Sequence, residues 1–221
     1  KKIELFDSTL RDGAQSESIS FSVEDKLNIV RALDALHIDF LEAGNPYSNP
    51  KDAEFFRKAQ EMRLRHAKLV AFGSTRRRDI PVSEDKNCMA LLEANTDYLS
   101  VFGKSSEWQV REVLGTTKEE NLRMISDTVS YLTHAGKTVF YDAEHFFDGY
   151  KQNPDYSVKT LQAAFDAGAA RLVLCDTNGG CFPEEIAQIT AKMQSLFPDQ
   201  IGIHCHNDTG CAAASTIAAV R

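Results

Sequence analysis

The sequence predicts an α/β fold of the (β/α)8 TIM-barrel class, and three observations predict it. Short β-type runs alternate with amphipathic helical stretches along the whole chain. The polar residues able to do chemistry collect just after those runs. No Gly-x-Gly-x-x-Gly turn follows the first run. Strict alternation implies a parallel sheet with right-handed crossovers. An open doubly wound sheet and an eight-stranded barrel both satisfy it, and the missing glycine-rich turn weakens the dinucleotide-binding form of the first.

The elements follow in order. Strands are expected at residues 3–7, 39–43, 68–72, 98–102, 138–143, 171–175 and 201–205, each short and rich in β-branched, aromatic or leucine residues. Ser22 opens the first helix, with Asp25 in the capping-box position and Leu27, Val30, Leu33 and Leu36 at helical spacing. Further helices are expected at 50–62, 84–94, 118–135, 155–167, 183–196 and 209–221. Gly136 and Gly168 sit just past helix ends, where a left-handed cap needs no Cβ. That gives about seven β/α units. A barrel has eight and usually runs to ~250 residues. Residues 1–221 are therefore expected to be one catalytic barrel domain, incomplete before its last strand and helix.

Composition narrows the function. The 221 residues are 43% hydrophobic, enough for one sizeable core. A formal charge of -7 argues against nucleic acid or an anionic membrane as the main partner, while leaving room for a small anion at a local basic site. No apolar run approaches the ~20 residues of a membrane helix, and no signal-like segment opens the chain at Lys1 and Lys2. Five sparse cysteines, several in apolar segments, read as reduced thiols in a cytoplasmic protein.

In a barrel, all strand C-termini converge on one face, and that face carries the active site. Asp7, Arg11 and Asp12 follow the first strand, and Glu42 and Asn45 the second. Lys104 follows the fourth, Glu144 and His145 the fifth, and Asp176, Thr177 and Asn178 the sixth. His204, His206, Asn207 and Asp208 close the seventh. Loops are polar in any protein, but that does not explain hydrophobic strands ending so often in histidines and carboxylates.

The sharpest feature is His204-Cys205-His206. Residues i and i+2 of a strand share a face, so both imidazoles can point to the barrel axis while Cys205 points to the helix layer. Two histidines and a carboxylate make a divalent-metal site with open positions, and Asp12 is the best third ligand. Two hydrogen-bonded strand-end histidines would give the same spacing without an ion. Arg11, beside Asp12, could stabilise an enolate or alkoxide oxygen; the same pair on a surface would contribute little. Glu144 and Asp176 also read as hydrogen-bond partners closing strand ends, and Lys104 as a solvated loop lysine. The Arg76-Arg77-Arg78 run could meet a phosphate-rich ligand or simply be a charged loop.

The residues Asp7-Ser8-Thr9-Leu10-Arg11-Asp12-Gly13-Ala14-Gln15 resemble the first-strand signature D-x-T-L-R-D-G-x-Q of a metal-dependent superfamily. It contains the isopropylmalate, homocitrate and citramalate synthases and 3-hydroxy-3-methylglutaryl-CoA lyase. His204-Cys205-His206-Asn207-Asp208 resembles its seventh-strand H-x-H-N-D. The segments Ser20 to Lys26, Asp142 to Tyr150 and Leu174 to Gly180 are most similar to a citramalate synthase branch. The resemblance implies an acyltransferase condensing acetyl-CoA with a 2-oxo acid. Pyruvate, giving (R)-citramalate on the route to isoleucine, leads; a larger acid, giving isopropylmalate or homocitrate, and a lyase remain as alternatives.

The roles it implies are specific. Asp12, His204 and His206 would hold Mg²⁺, Mn²⁺ or Zn²⁺. Arg11 would stabilise charge on the keto oxygen, Thr177 would bind the 2-oxo acid carboxylate, and Glu144 would lie near the acetyl group. It further implies a homodimer. It places an asparagine and an accessory region beyond Arg221, so residues 1–221 alone are expected to turn over poorly. Position 142 is aspartate, where some of that branch carry an apolar or aromatic residue against the pyruvate methyl, which leaves the 2-oxo acid open.

Overall fold

The structure, a computed structural model, describes residues 3–221; Lys1 and Lys2 lie outside them. Seven strands form one sheet: β1 (Phe6–Asp7), β2 (Phe40–Glu42), β3 (Lys68–Ser74), β4 (Tyr98–Lys104), β5 (Thr138–Glu144), β6 (Arg171–Asp176) and β7 (Ile201–Cys205). All neighbouring pairs are parallel, and the spatial order is the sequence order from β1 to β7. A doubly wound sheet reverses its strand order partway; this one does not. It is also strongly curled. The Phe6 ring on β1 lies 5.9 Å from Phe140 on β5, although four strand spacings of a flat sheet would separate them by ~19 Å.

Side-chain alternation divides the apolar residues into two layers. Inward-facing Phe40, Val70 and Phe140, with Tyr98, fill the lower barrel; the Phe40 and Phe140 rings meet edge to face at 5.0 Å. Outward-facing Leu41, Ala71, Leu99, Val101, Val139, Tyr141, Leu172 and Leu174 belong to the main core shared with the helices. Above this layer the inward positions include Glu42, Ser100, Asp142 and His204 beside the stacked rings of Phe72 and Phe102, so polar residues enter the interior on the side of the strand C-termini.

The helices are α1 (Val23–Ala35), α2 (Pro50–Ala59), α3 (Lys86–Glu93), α4 (Glu107–Glu112), α5 (Lys118–His134), α6 (Phe146–Gln152), α7 (Pro154–Asp166), α8 (Pro183–Leu196) and α9 (Ala212–Val220). The Ser22–Asp25 capping box forms at the start of α1. Asn49, Asp85, Thr117 and Asn153 cap α2, α3, α5 and α7 through their side chains. Gly136 and Gly168 adopt φ 81° and 97°, as helix ends require.

Differences from the expected elements are local. Strands β3, β4, β5 and β6 run past their expected ends, because their last residues still pair, and β2 stops one residue short at each end. Strand β1 is shorter than expected: the Leu5 amide donates to the Asp39 carboxylate at 2.9 Å. Helix α9 starts after Thr209, because Gly210 at φ 72° belongs to a turn. Helices α4 and α6 were not expected; at six and seven residues they are too short to show a helical period. Among the described residues no helix is long and apolar enough to cross a membrane, and all five cysteines are free thiols.

Candidate metal centre

The turn after β1 places Asp12. The Ser8 carbonyl accepts from the amides of Arg11 at 3.2 Å and Gly13 at 3.0 Å, folding the chain back over the barrel mouth. His204 comes from β7 and His206 from just beyond it. The Nε2 atoms of His204 and His206 lie 3.1 and 3.2 Å from Asp12 Oδ2. The candidate ligand atoms all lie within 4.8 Å of one another. Cys205 packs against the main core instead, as strand parity requires. The hydrogen bond from His204 outweighs burial and, with the Arg11 charge, holds the Asp12 carboxyl down at about 2. Burial alone would lower His204, but the hydrogen bond to Asp12 and the charges of Asp142 and Glu42 raise it. Two imidazoles and an ionised carboxylate converging from two strands fit a hard or borderline divalent cation.

Arg11 stands beside this triad and is not a surface ion pair. Its side chain is 12% exposed, its Nε donates to Glu42 Oε2 at 2.6 Å, and one Nη lies 3.5 Å from Asp12 Oδ1. The guanidinium lies 3.9 Å over the Phe72 ring. Glu42 is only 1% exposed and also accepts from the Ser8 hydroxyl. Among the described residues its Oε1 has no hydrogen-bond partner. Asp142, inward on β5, is pushed up to about 7 by burial and then by repulsion from Glu42. In the sequence Glu42 stands only as a strand-end acid, and Asp142 only as a departure from a family pattern. The usable signal was parity: Glu42 and Asp142 share the inward register of Phe40 and Phe140.

Glu144 and Thr177 stand on the same rim, but their contacts run elsewhere. Glu144 pairs with Lys104. Lys104 is thus no solvated loop lysine: it ends β4, 12% exposed, and this partner holds it. Thr177 Oγ1 accepts from the His145 amide at 2.8 Å, pinning the left-handed residue that links β5 to α6, and keeps its own O–H to donate. Several other rim residues build loops. Asp7 caps the Thr9 amide at 3.0 Å, Asn45 the Tyr47 and Ser48 amides at 3.0 and 3.1 Å, and Asp176 the Cys181 amide at 3.1 Å. The arginine run is not a single charged loop. Arg76 is buried against Glu120 and Asp127, Arg77 donates to the Tyr47 hydroxyl and Arg78 to the Gly115 carbonyl.

Residues 2–221 match the HMGL-like family model. The chain belongs to the HMGL-like family. It is 51% identical over its whole length to an (R)-citramalate synthase from Aquifex aeolicus, of which it covers 42%. It is 31% identical to a homocitrate synthase from Sulfolobus acidocaldarius, covering all of this chain and 46% of that one. The chain thus spans less than half the length of these curated relatives. A hydroxymethylglutaryl-CoA lyase structure from Pseudomonas aeruginosa superposes with a TM-score of 0.81 at 21% identity, covering all of this chain and 73% of that one. At that identity the likeness bears on the fold.

Proposed function

We propose that this chain is the metal-binding barrel of an acyltransferase that condenses acetyl-CoA with pyruvate, giving (R)-citramalate and free coenzyme A. The observation that carries this reading is the Asp12–His204–His206 triad with Arg11 fixed against it. The substrate assignment is supported by similarity, which is 51% to the Aquifex citramalate synthase against 31% to the homocitrate synthase.

Asp12, His204 and His206 would hold Mg²⁺, Mn²⁺ or Zn²⁺, which supplies Lewis acidity to the keto carbonyl of the 2-oxo acid. Arg11 donates toward the oxygen on which negative charge develops, its direction set by Glu42 and Phe72. The Thr177 hydroxyl donates to the 2-oxo acid carboxylate. Glu144, oriented by Lys104, acts beside the acetyl group. Water then cleaves the thioester, which makes condensation irreversible. By resemblance alone, the assembled enzyme is a cytoplasmic homodimer.

The test is coenzyme A thiol release by the full-length protein with acetyl-CoA, Mn²⁺ and a panel of 2-oxo acids. Release with pyruvate alone is expected. Release with only a larger acid would keep the site and replace the substrate, and release with none would overturn the acyltransferase reading.

A further inference from the structure

Lys26 takes no part in the chemistry above, yet it is only 4% exposed, in the first turns of α1. Burying a lysine is costly unless the head group is paired and hydrogen-bonded. Here it meets three partners from three separate segments. Nζ donates to the Leu10 carbonyl at 3.0 Å and the Ala43 carbonyl at 2.8 Å, and it pairs with the Asp52 carboxylate. Leu10 is the residue before Arg11, and Ala43 is the residue after Glu42. One amino group therefore joins the backbones on which the Arg11–Glu42 pair is mounted. Asp52 extends the clamp: its Oδ2 accepts from the Asn45 amide at 2.8 Å, fixing the chain that leaves β2. Gly44, at φ 140°, lies so close that a Cβ there would overlap the Asp52 carboxylate.

We infer that Lys26, backed by Asp52, is a positioning residue for the metal site: it sets the Arg11–Asp12 turn in register with Glu42. The reasoning is geometric. Asp12 must reach His204 and His206 across the barrel mouth while Arg11 stays on Glu42, and both requirements are met by a single turn, entered at Ser8, whose Leu10 carbonyl Lys26 holds. The inference rests on the proposed metal site. Removing a group hydrogen-bonded to a metal ligand typically costs about 10-fold to 100-fold in metal affinity. Lys26 acts one step further out, through the Leu10 carbonyl, so the low end of that range is expected, whereas a purely structural staple would lower stability alone.

The experiment uses the full-length protein. Mn²⁺ binding is followed by the electron paramagnetic resonance of the free ion, alongside thermal melting and the KM for pyruvate. Lys26→Met leaves Asp52 buried and unpaired, so Lys26→Met/Asp52→Asn is made beside it, keeping an acceptor for the Asn45 amide without a lone charge. Lys26→Arg restores a charged donor. The inference predicts a folded double variant that binds Mn²⁺ about 10-fold more weakly, with KM raised and partial recovery in Lys26→Arg. A folded double variant with wild-type Mn²⁺ affinity and KM overturns the role of Lys26 while leaving the metal site standing. Wild-type protein that takes up no Mn²⁺, or whose uptake survives His204→Ala, overturns the site reading and this inference together.

Discussion

Arg11 and Asp142 show how single residues acquire function from burial. The Arg11 guanidinium uses its Nε edge on Glu42 and its face on Phe72, leaving the Nη edge toward Asp12. Lysine would keep the charge and lose both the fork and the stacking. Arg11→Lys in the full-length protein is expected to lower kcat about 100-fold with Mn²⁺ affinity nearly unchanged, as read by steady-state kinetics and metal titration. Asp142 carries a pH prediction. Its folded-state value is raised to about 7, so the protonated form is favoured on folding. That contribution is full below about 4, where an unfolded carboxyl titrates, and is lost as pH rises through about 7. Asp142→Asn should therefore gain stability over wild type between pH 5 and pH 8, by at most about 4 kcal/mol, in metal-free denaturant melts. An equal difference at both pH values would contradict it. The metal triad was legible because His-x-His on a strand has only one parity that faces the axis. The inward parity of Glu42 is readable in the sequence, but its role is not, because a carboxylate that orients an arginine and one that caps a loop look alike until burial separates them.

At the scale of elements, capping chemistry marked the start of α1 and the two helix ends at Gly136 and Gly168, while the alternation of β runs and helical spacing located the rest. Ser22 accepts from the Asp25 amide at 3.1 Å while Asp25 closes the box on the Ser22 amide at 2.8 Å. Ser22→Ala should cost about 1 kcal/mol in equilibrium denaturation. A change within ±0.2 kcal/mol of zero, well below that value, would show that the cap is redundant. Helices α4 and α6 escaped the sequence because tertiary contacts, not periodicity, hold them. Phe146 and Phe147 of α6 are fully buried, and a Cβ on its Gly149 would overlap the Ser105 carbonyl that follows β4. The ends of β3, β4, β5 and β6 escaped because strand pairing continues into residues whose side chains serve the rim.

At the scale of the molecule, the curl of the sheet creates the site. Asp12 follows β1, His204 lies on β7 and His206 just beyond it, so the ligands come from the two ends of the strand ladder. Alternation of β and α segments made the barrel class readable. The meeting of first and seventh strands was readable only through the two motifs that each end carries. A cation bound there bridges distant parts of the chain and binds the folded state alone. Mn²⁺ at 100 times its Kd should therefore stabilise the protein by about 2.7 kcal/mol, seen as a rise in Tm that chelator reverses and His204→Ala abolishes.

The most direct test of the central claim is calorimetric titration of the metal-free full-length protein with Mn²⁺, beside Asp12→Ala and His204→Ala. The account predicts one ion per chain in the wild type and loss of that uptake in both variants. Undiminished binding in either variant would contradict it.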